Sequence, residues 1–172
     1  MVSPDIVRCT RAHSKEILAI FNDAIVNSTA LYEYEPRTDE SMRVWFDAKE
    51  RGYFPVIGAL AKDGSLSGFA TYGTFRAFPA YKHTVEHSVY VHPARRGHGV
   101  GKQLLRELIA VARSQDYHTL VGVIDSANTA SIRLHQSFGF SCVGTLREVG
   151  YKFDRWLDVE IHQLVLPRPQ AH

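Results

Sequence analysis

A carboxylate and a set of closely spaced glycines are the residues of this chain best placed to do chemistry together. The glycines lie in Ser88-Val89-Tyr90-Val91-His92-Pro93-Ala94-Arg95-Arg96-Gly97-His98-Gly99-Val100-Gly101. There a β-branched and aromatic run passes into a loop that opens an amphipathic helix. Backbone N–H groups and a helix N-terminus then converge on one spot, which suits a pyrophosphate. The carboxylate is Glu86, set among Val85, Val89, Tyr90 and Val91. Burying it without a purpose or a partner is costly. Burial also raises its pKa toward neutrality, where a carboxylate is a better base for an ammonium. The plainer readings are a glycine-rich turn joining strand to helix, and a glutamate on a solvated strand face.

Spacing excludes two familiar phosphate loops. A P-loop requires Gly, four residues and then Gly-Lys-Ser/Thr, but Gln103 follows Gly101-Lys102 and Arg96 stands at the first glycine position. A dinucleotide fingerprint requires Gly-x-Gly-x-x-Gly, and its last position falls on Lys102 or Leu104. What remains, Arg96-x-x-Gly99-x-Gly101 after a strand, resembles the acetyl-CoA signature of the GNAT superfamily of N-acetyltransferases. Asn128-x-x-Ser131-x-x-Leu134-His135-x-x-x-Gly139-Phe140 is similar to that superfamily's downstream cofactor motif, with His135 where tyrosine is usual. The histidine form resembles the phosphinothricin and methionine sulfoximine acetyltransferase branch. So do Tyr34-Glu35-Pro36-Arg37-Thr38, Thr84-Val85-Glu86-His87-Ser88, and Gly150-Tyr151-Lys152 followed by Trp156 and Asp158. The resemblance spans nearly the whole chain.

That resemblance implies an acetyl-CoA-dependent enzyme, using no metal, that acetylates the α-amine of a small amino acid by direct attack on the thioester. It implies that Ser88, Val89, Tyr90 and Val91 line the cofactor arm on a central strand splayed from its neighbour. A backbone N–H there would polarise the thioester carbonyl, a contribution of about 2.7–4 kcal/mol in the transition state. Arg96, Gly97, His98, Gly99, Val100 and Gly101 would hold the pyrophosphate, mainly through backbone amides. The Arg96 side chain is either a further contact or simply solvated. Asn128 would contact the cofactor and cap its own helix.

Glu86 is the expected general base. His135 and Tyr90 compete as acid for the departing thiolate, and each has a packing role as its alternative. Phe75, Arg76, Ala77, Val85, Glu86 and His87 are expected to line the acceptor site, with Arg76 clamping an α-carboxylate. Tyr32, Glu35, Arg37 and Lys152 are further candidates, including from the neighbouring subunit of a homodimer. Two other functions stay open. A protein N-terminal or lysine acetyltransferase needs an open groove, and a non-catalytic acetyl-CoA sensor has no use for Glu86.

Several elements must place these residues. Ser14 is expected to cap a helix with Ile17, Ile20, Phe21, Ala24 and Ile25 on one face, and Thr38 another with Met42, Trp45 and Phe46. Further helices follow over 100–112 and 128–138, the latter ended by Gly139 in a left-handed cap. Strands are expected at 5–10, 55–61, 66–75, 84–92, 118–124, 140–148 and 156–166, with a hairpin turn at 62–65 and a connection through Gly150 and Asp154. Residues 76–83 form a loop. The result is a mixed α/β (α+β) single domain over residues 1–166, with one central sheet of about six or seven strands and helices on both faces. Residues 167–172 are a loose tail.

The composition agrees. A chain of 172 residues suits one domain with a proper core. A hydrophobic fraction of 45% and a charged fraction of 22% are ordinary for a soluble protein. A net charge of +2 gives no reason to expect a nucleic-acid or membrane partner. No apolar run approaches the roughly 18 residues of a membrane span. Residues 1–10 lack an apolar signal core. Cys9 and Cys142 have no zinc-like spacing and are expected to be buried free thiols. A cytoplasmic enzyme is the class that fits.

Overall fold

Short apolar runs form the middle of a sheet, and amphipathic runs cover it. The computed structural model describes residues 4–168. Its strands are β1 (Asp5–Arg8), β2 (Val56–Leu60), β3 (Leu66–Thr74), β4 (Thr84–Val91), β5 (Thr119–Asp125), β6 (Ser141–Lys152) and β7 (Arg155–Val165). Its helices are α1 (Ser14–Asn27), α2 (Asp39–Arg51), α3 (Val100–Ser114) and α4 (Thr129–Gln136). The strands lie in the order β1-β2-β3-β4-β5-β7-β6. Every neighbouring pair is antiparallel except β4 and β5. A parallel pair needs a crossover connection, and α3 supplies it.

Both faces of the sheet are covered, as expected. On one, Ile17, Ile20 and Phe21 of α1 and Met42 and Phe46 of α2 pack on Val56, Leu66 and Phe69. On the other, Leu104, Leu105 and Leu108 of α3 pack on Ile57, Ala70, Val85 and Leu120. Each of those leucines is fully buried, and each such burial contributes about 1.5–3 kcal/mol.

The arrangement that matters for function is in β4. It pairs with β3 from Val85 to Val91, but with β5 only from Thr84 to His87. Beyond His87 the two parallel strands part, so residues 88–91 have a strand partner on one side only. Gly68 of β3 lies opposite Val91, and a Cβ there would sit 2.6 Å from the Tyr90 carbonyl oxygen. Close contact with β3 therefore replaces the missing support from β5.

Four expectations need correction. The first strand stops at Arg8, because Thr10 opens a 3-10 turn (Arg11–His13) closed reciprocally by its own hydroxyl and His13 Nδ1. Ser14 is thus the first residue of α1 rather than its cap. β6 does not end near Glu148 but continues to Lys152, leaving Phe153 and Asp154 as a two-residue turn with both φ values positive, 53° and 56°. A register irregularity between Leu146 and Gly150 absorbs the extra length. Both cysteines are free, but Cys142 is exposed because β6 is the edge of the sheet, and Cys9 is half-buried. Within the 76–83 loop lies a 3-10 turn (Pro79–Tyr81). The Thr38 cap and the left-handed Gly139 (φ 86°) stand as expected, and the structure adds Ser41 as the reciprocal partner of Thr38. The expected tail falls mostly outside the described residues.

Candidate functional site

The glycine loop is held open by its own backbone. Gly97 and Gly99 have φ values of 77° and 79°, which side-chain-bearing residues adopt only with strain. A Cβ added at either would meet nothing within 4 Å, so glycine is required there for conformation rather than for room. Gly99 is the N-cap of α3, and its carbonyl accepts the Gln103 N–H at 3.2 Å. The amides of the first helical turn are left to an outside partner. Gly101 is different: a Cβ there would lie 3.3 Å from Leu134 Cδ2, so it permits α3 to approach α4.

From this loop a cleft of about 740 Å³ runs along 89–91 of β4 to Asn128, Ser131 and Leu134. It shares Val89, Tyr90, Asn128 and Ser131 with a chamber of about 60 Å³ bounded by His87, Gly122 and His135. The candidate cofactor residues Val89, Tyr90, Val91, Arg96, Gly97, Gly99, Val100, Gly101 and Asn128 all line the cleft, and Ser88 lines the chamber. Val100 is itself buried in the core. His98 is exposed, with Nδ1 on the Arg96 carbonyl at 2.7 Å. Arg96 is neither free nor simply solvated. Its Nε donates to the Val91 carbonyl and its Nη2 to Asp23, both at 3.2 Å, tying the end of β4 to α1. Asn128 caps α4 as expected, accepting the Ser131 N–H at 3.1 Å.

Strand alternation divides the proposed acceptor residues. Val85 (0% exposed) and His87 point to the α3 and α4 side, and Glu86 points to the other. Val85 is thereby removed from any acceptor contact by its side chain. Glu86 is exposed by surface area, contrary to the expectation of burial, yet its pKa is raised by desolvation, with Arg76 opposing. The residue as a whole is accessible while its neighbours displace part of the carboxylate's water. Arg76 lies on the exposed loop after β3, its guanidinium 5.6 Å from the Phe75 ring centre, and Ala77 follows it into solvent.

Tyr90 packs edge-on against Phe21 at 5.2 Å, and burial pushes its hydroxyl up to about 12, partly offset by Ser88. His87 and His135 are both 4% exposed and meet Nε2 to Nε2 at 2.9 Å. His135 Nδ1 lies 2.7 Å from the Ser131 carbonyl, which can only accept, so this nitrogen carries the proton. Neutral His135 therefore accepts at Nε2, and His87 donates to it. Burial lowers both pKa values, that of His87 to about 3.

Three of the further candidates have structural work. Lys152 Nζ donates to the carbonyls of Ile25 (2.6 Å), Ser28 (2.9 Å) and Leu31 (2.6 Å), fastening the end of α1 and the segment after it. Tyr32 donates to the buried Asp125 at 3.0 Å. Arg37 pairs with Glu33 and stacks 3.9 Å from the Phe21 ring centre, leaving Nη1 buried without a partner among the described residues. Glu35 is exposed. Sequence reasoning missed Lys49, whose Nζ donates to the Tyr72 carbonyl at 2.8 Å. A Cβ at Gly73, which lies opposite Glu86, would sit 3.5 Å from that ammonium. Burial and Arg37 push Lys49 down to about 8. Its signal was present in the spacing, since residue 49 continues the 42, 45, 46 stripe of α2. Away from the cleft, Cys142, Glu160 and His162 bring potential metal ligands within 4.8 Å of one another across β6 and β7. Glu160 already accepts from His162 Nε2 at 2.7 Å.

Among the described residues no helix is long and apolar enough to cross a membrane. Residues 22–140 match the acetyltransferase (GNAT) family. An L-methionine sulfoximine/L-methionine sulfone acetyltransferase of Pseudomonas paraeruginosa is 46% identical over 150 residues, covering 87% of each chain. An N-acetyltransferase crystal structure from Staphylococcus aureus Mu50 is 46% identical with a TM-score of 0.92, covering 95% of this chain and 99% of that one. A phosphinothricin acetyltransferase from Sinorhizobium meliloti, solved in complex with AcCoA, is 30% identical with a TM-score of 0.94, covering 98% of this chain and 94% of that one.

Proposed function

The chain belongs to the GNAT family of acetyltransferases and is an N-acetyltransferase, and from that premise we propose that it acetylates the α-amine of a small amino acid, with acetyl-CoA as donor. The observation that carries this reading is the one-sided half of β4 facing the same cleft as the glycine loop. Open space at the Cβ positions of Gly97 and Gly99 fits a pyrophosphate laid on bare backbone. The amides from Gly97 into α3 would hold it, with residues 88–91 and Asn128 along the arm. Bound acetyl-CoA supplies an acyl group activated as a thioester. A β4 amide beyond His87 would polarise the carbonyl.

The acceptor class is an amino acid with a tetrahedral, oxygen-rich side chain, of the methionine sulfone, methionine sulfoximine or phosphinothricin type. The names of similar enzymes support it. Arg76, exposed next to the face of β4 that carries Glu86, would clamp the α-carboxylate. Glu86 would take the ammonium proton. His135 spends its proton on Ser131 and turns Nε2 toward His87, so we assign Tyr90 as proton donor to the departing sulfur. A homodimer joined along β6 belongs to this reading, supported by exposed Val143, Val149 and Trp156 on the edge hairpin. Cytoplasmic action goes with this donor.

Thiol release with methionine sulfone as acceptor tests the assignment. Glu86→Gln is expected to lower kcat at least about 100-fold, with acetyl-CoA affinity unchanged by calorimetry. The base works deprotonated, so wild-type activity should rise with pH through a pKa above the ordinary carboxylate range, and the variant should lack that limb. Arg76→Ala should raise the acceptor KM about tenfold and leave donor affinity alone. A Glu86→Gln enzyme with wild-type kcat at every pH would end the base assignment.

A further inference from the structure

The chamber at the point where β4 and β5 part is small, polar and ended by two packed imidazoles. It continues the cleft, since the two share Ala30, Val89, Tyr90, Asn128 and Ser131. A ligand with its pyrophosphate at the glycine loop and its arm along β4 brings its far end here. From Val91 back to His87 is four strand residues, about 13 Å. With roughly 30 Å³ for each water-sized group, a chamber of about 60 Å³ takes about two of them.

The end wall is the pair of imidazoles. The two rings meet at 2.9 Å and both pack against Phe140 at 5.1 Å, His135 is further held by the Ser131 carbonyl, and Nδ1 of His87 is buried with no hydrogen-bond partner among the described residues. Gly122 closes the remaining side, since even a Cβ there would lie 3.0 Å from His87 Cε1 and 3.5 Å from His135 Cδ2. His135 cannot rotate without giving up the Ser131 carbonyl or the His87 ring, and a buried nitrogen left unpaired costs about 1–3 kcal/mol. Lengthening an acyl chain would also press methylenes against Ser88, Asn128 and the imidazoles, all groups that prefer polar partners.

We propose that the His87–His135 pair sets the length of acyl group this enzyme accepts, admitting acetyl and stopping chains of four carbons. The inference rests on acyl-CoA as donor but is independent of which amine receives the group. The roles are positional: His135 and Gly122 shape the chamber, and His87 holds His135 in place.

Calorimetry without acceptor, using CoA, acetyl-CoA, propionyl-CoA and butyryl-CoA, tests it, together with thiol release for the same donors. The wild type should bind butyryl-CoA at least about tenfold more weakly than acetyl-CoA, as expected for methylenes that do not fit. His135→Ala should bring the two within threefold. Gly122→Ala adds a Cβ 3.0 Å from His87 Cε1, crowds the chamber beside the rings and should penalise propionyl-CoA further, relative to acetyl-CoA. Affinity for free CoA is the reference, and circular dichroism checks the fold of each variant. Equal wild-type affinities, or folded variants with the wild-type ratio, overturn the proposal. So does a wild-type crystal structure whose butyryl chain fills the chamber with both imidazoles in place, a result that needs no variant. If donors are discriminated as expected but no amine is acetylated, the acceptor reading fails and this one stands. If acetyl-CoA does not bind, it is the donor reading that fails.

Discussion

The two halves of β4 have similar sequences and different fates. From Thr84 to His87 the strand is paired on both sides and carries the fully buried Val85. From Ser88 to Val91 it is paired with β3 alone, and its side chains are only half-buried. Nothing in Val85 against Val89 distinguishes them. The difference comes from β5, which keeps company with β4 for four residues and then continues with β7 to Asp125. A sheet can thus open an edge onto a cleft by withholding a strand, with no special residue at the edge itself. The specialised residues sit around it: Gly68 behind, the glycine loop at one end, the two imidazoles at the fork.

Three changes would break or sharpen this contrast. The largest effect is expected from Gly68→Ala, whose Cβ would strike the Tyr90 carbonyl at 2.6 Å, against rigid backbone. Overpacking of this kind costs about 1–3 kcal/mol, and the thermal midpoint should fall by roughly 5–10 °C. Because only β3 supports that half, donor affinity should fall as well. If stability drops with affinity intact, the one-sided half is not the binding edge.

Gly99→Ala should act in the opposite sense, on binding before stability. A left-handed φ costs an L-residue about 1–2 kcal/mol, so acetyl-CoA affinity should weaken about tenfold. The thermal midpoint without ligand should move by only a few degrees. An unaffected affinity would mean that the loop conformation is not what holds the donor.

The smallest effect concerns the fork. His87 titrates near 3 and His135 below its ordinary value when folded, whereas unfolded histidines titrate near 6.5. Between those values the unfolded chain takes up protons that the folded chain refuses. Stability is therefore complete above about pH 6.5 and is lost as pH falls toward 3. Unfolding midpoints measured from pH 7 to 4.5 should fall less steeply for His87→Leu than for the wild type. Parallel curves would show that the pair does not stay neutral in the fold.

Much of this molecule was legible before folding because it depends on neighbours in sequence. The stripe 17, 20, 21, 24, 25 gave α1 its buried face, Thr38 its neighbour's cap, and the glycines from 97 to 101 the loop between β4 and α3. The burial of Glu86 was misjudged for a related reason. Alternation places a side chain on one face or the other but cannot say how completely that face is covered. Lys152 was read as a pocket residue, although its ammonium closes carbonyls more than a hundred positions away in the chain.

Sequence by itself determined the order of the elements, the glycine loop ahead of α3, and the family, since each is written in local spacing and periodicity. Tertiary structure alone decided where β4 loses its partner, which nitrogen of His135 keeps its proton, and how large a chamber the imidazoles leave. Those properties arise from contacts between distant segments, such as His87 with a residue 48 positions later. Their energies depend on geometry that no local pattern encodes.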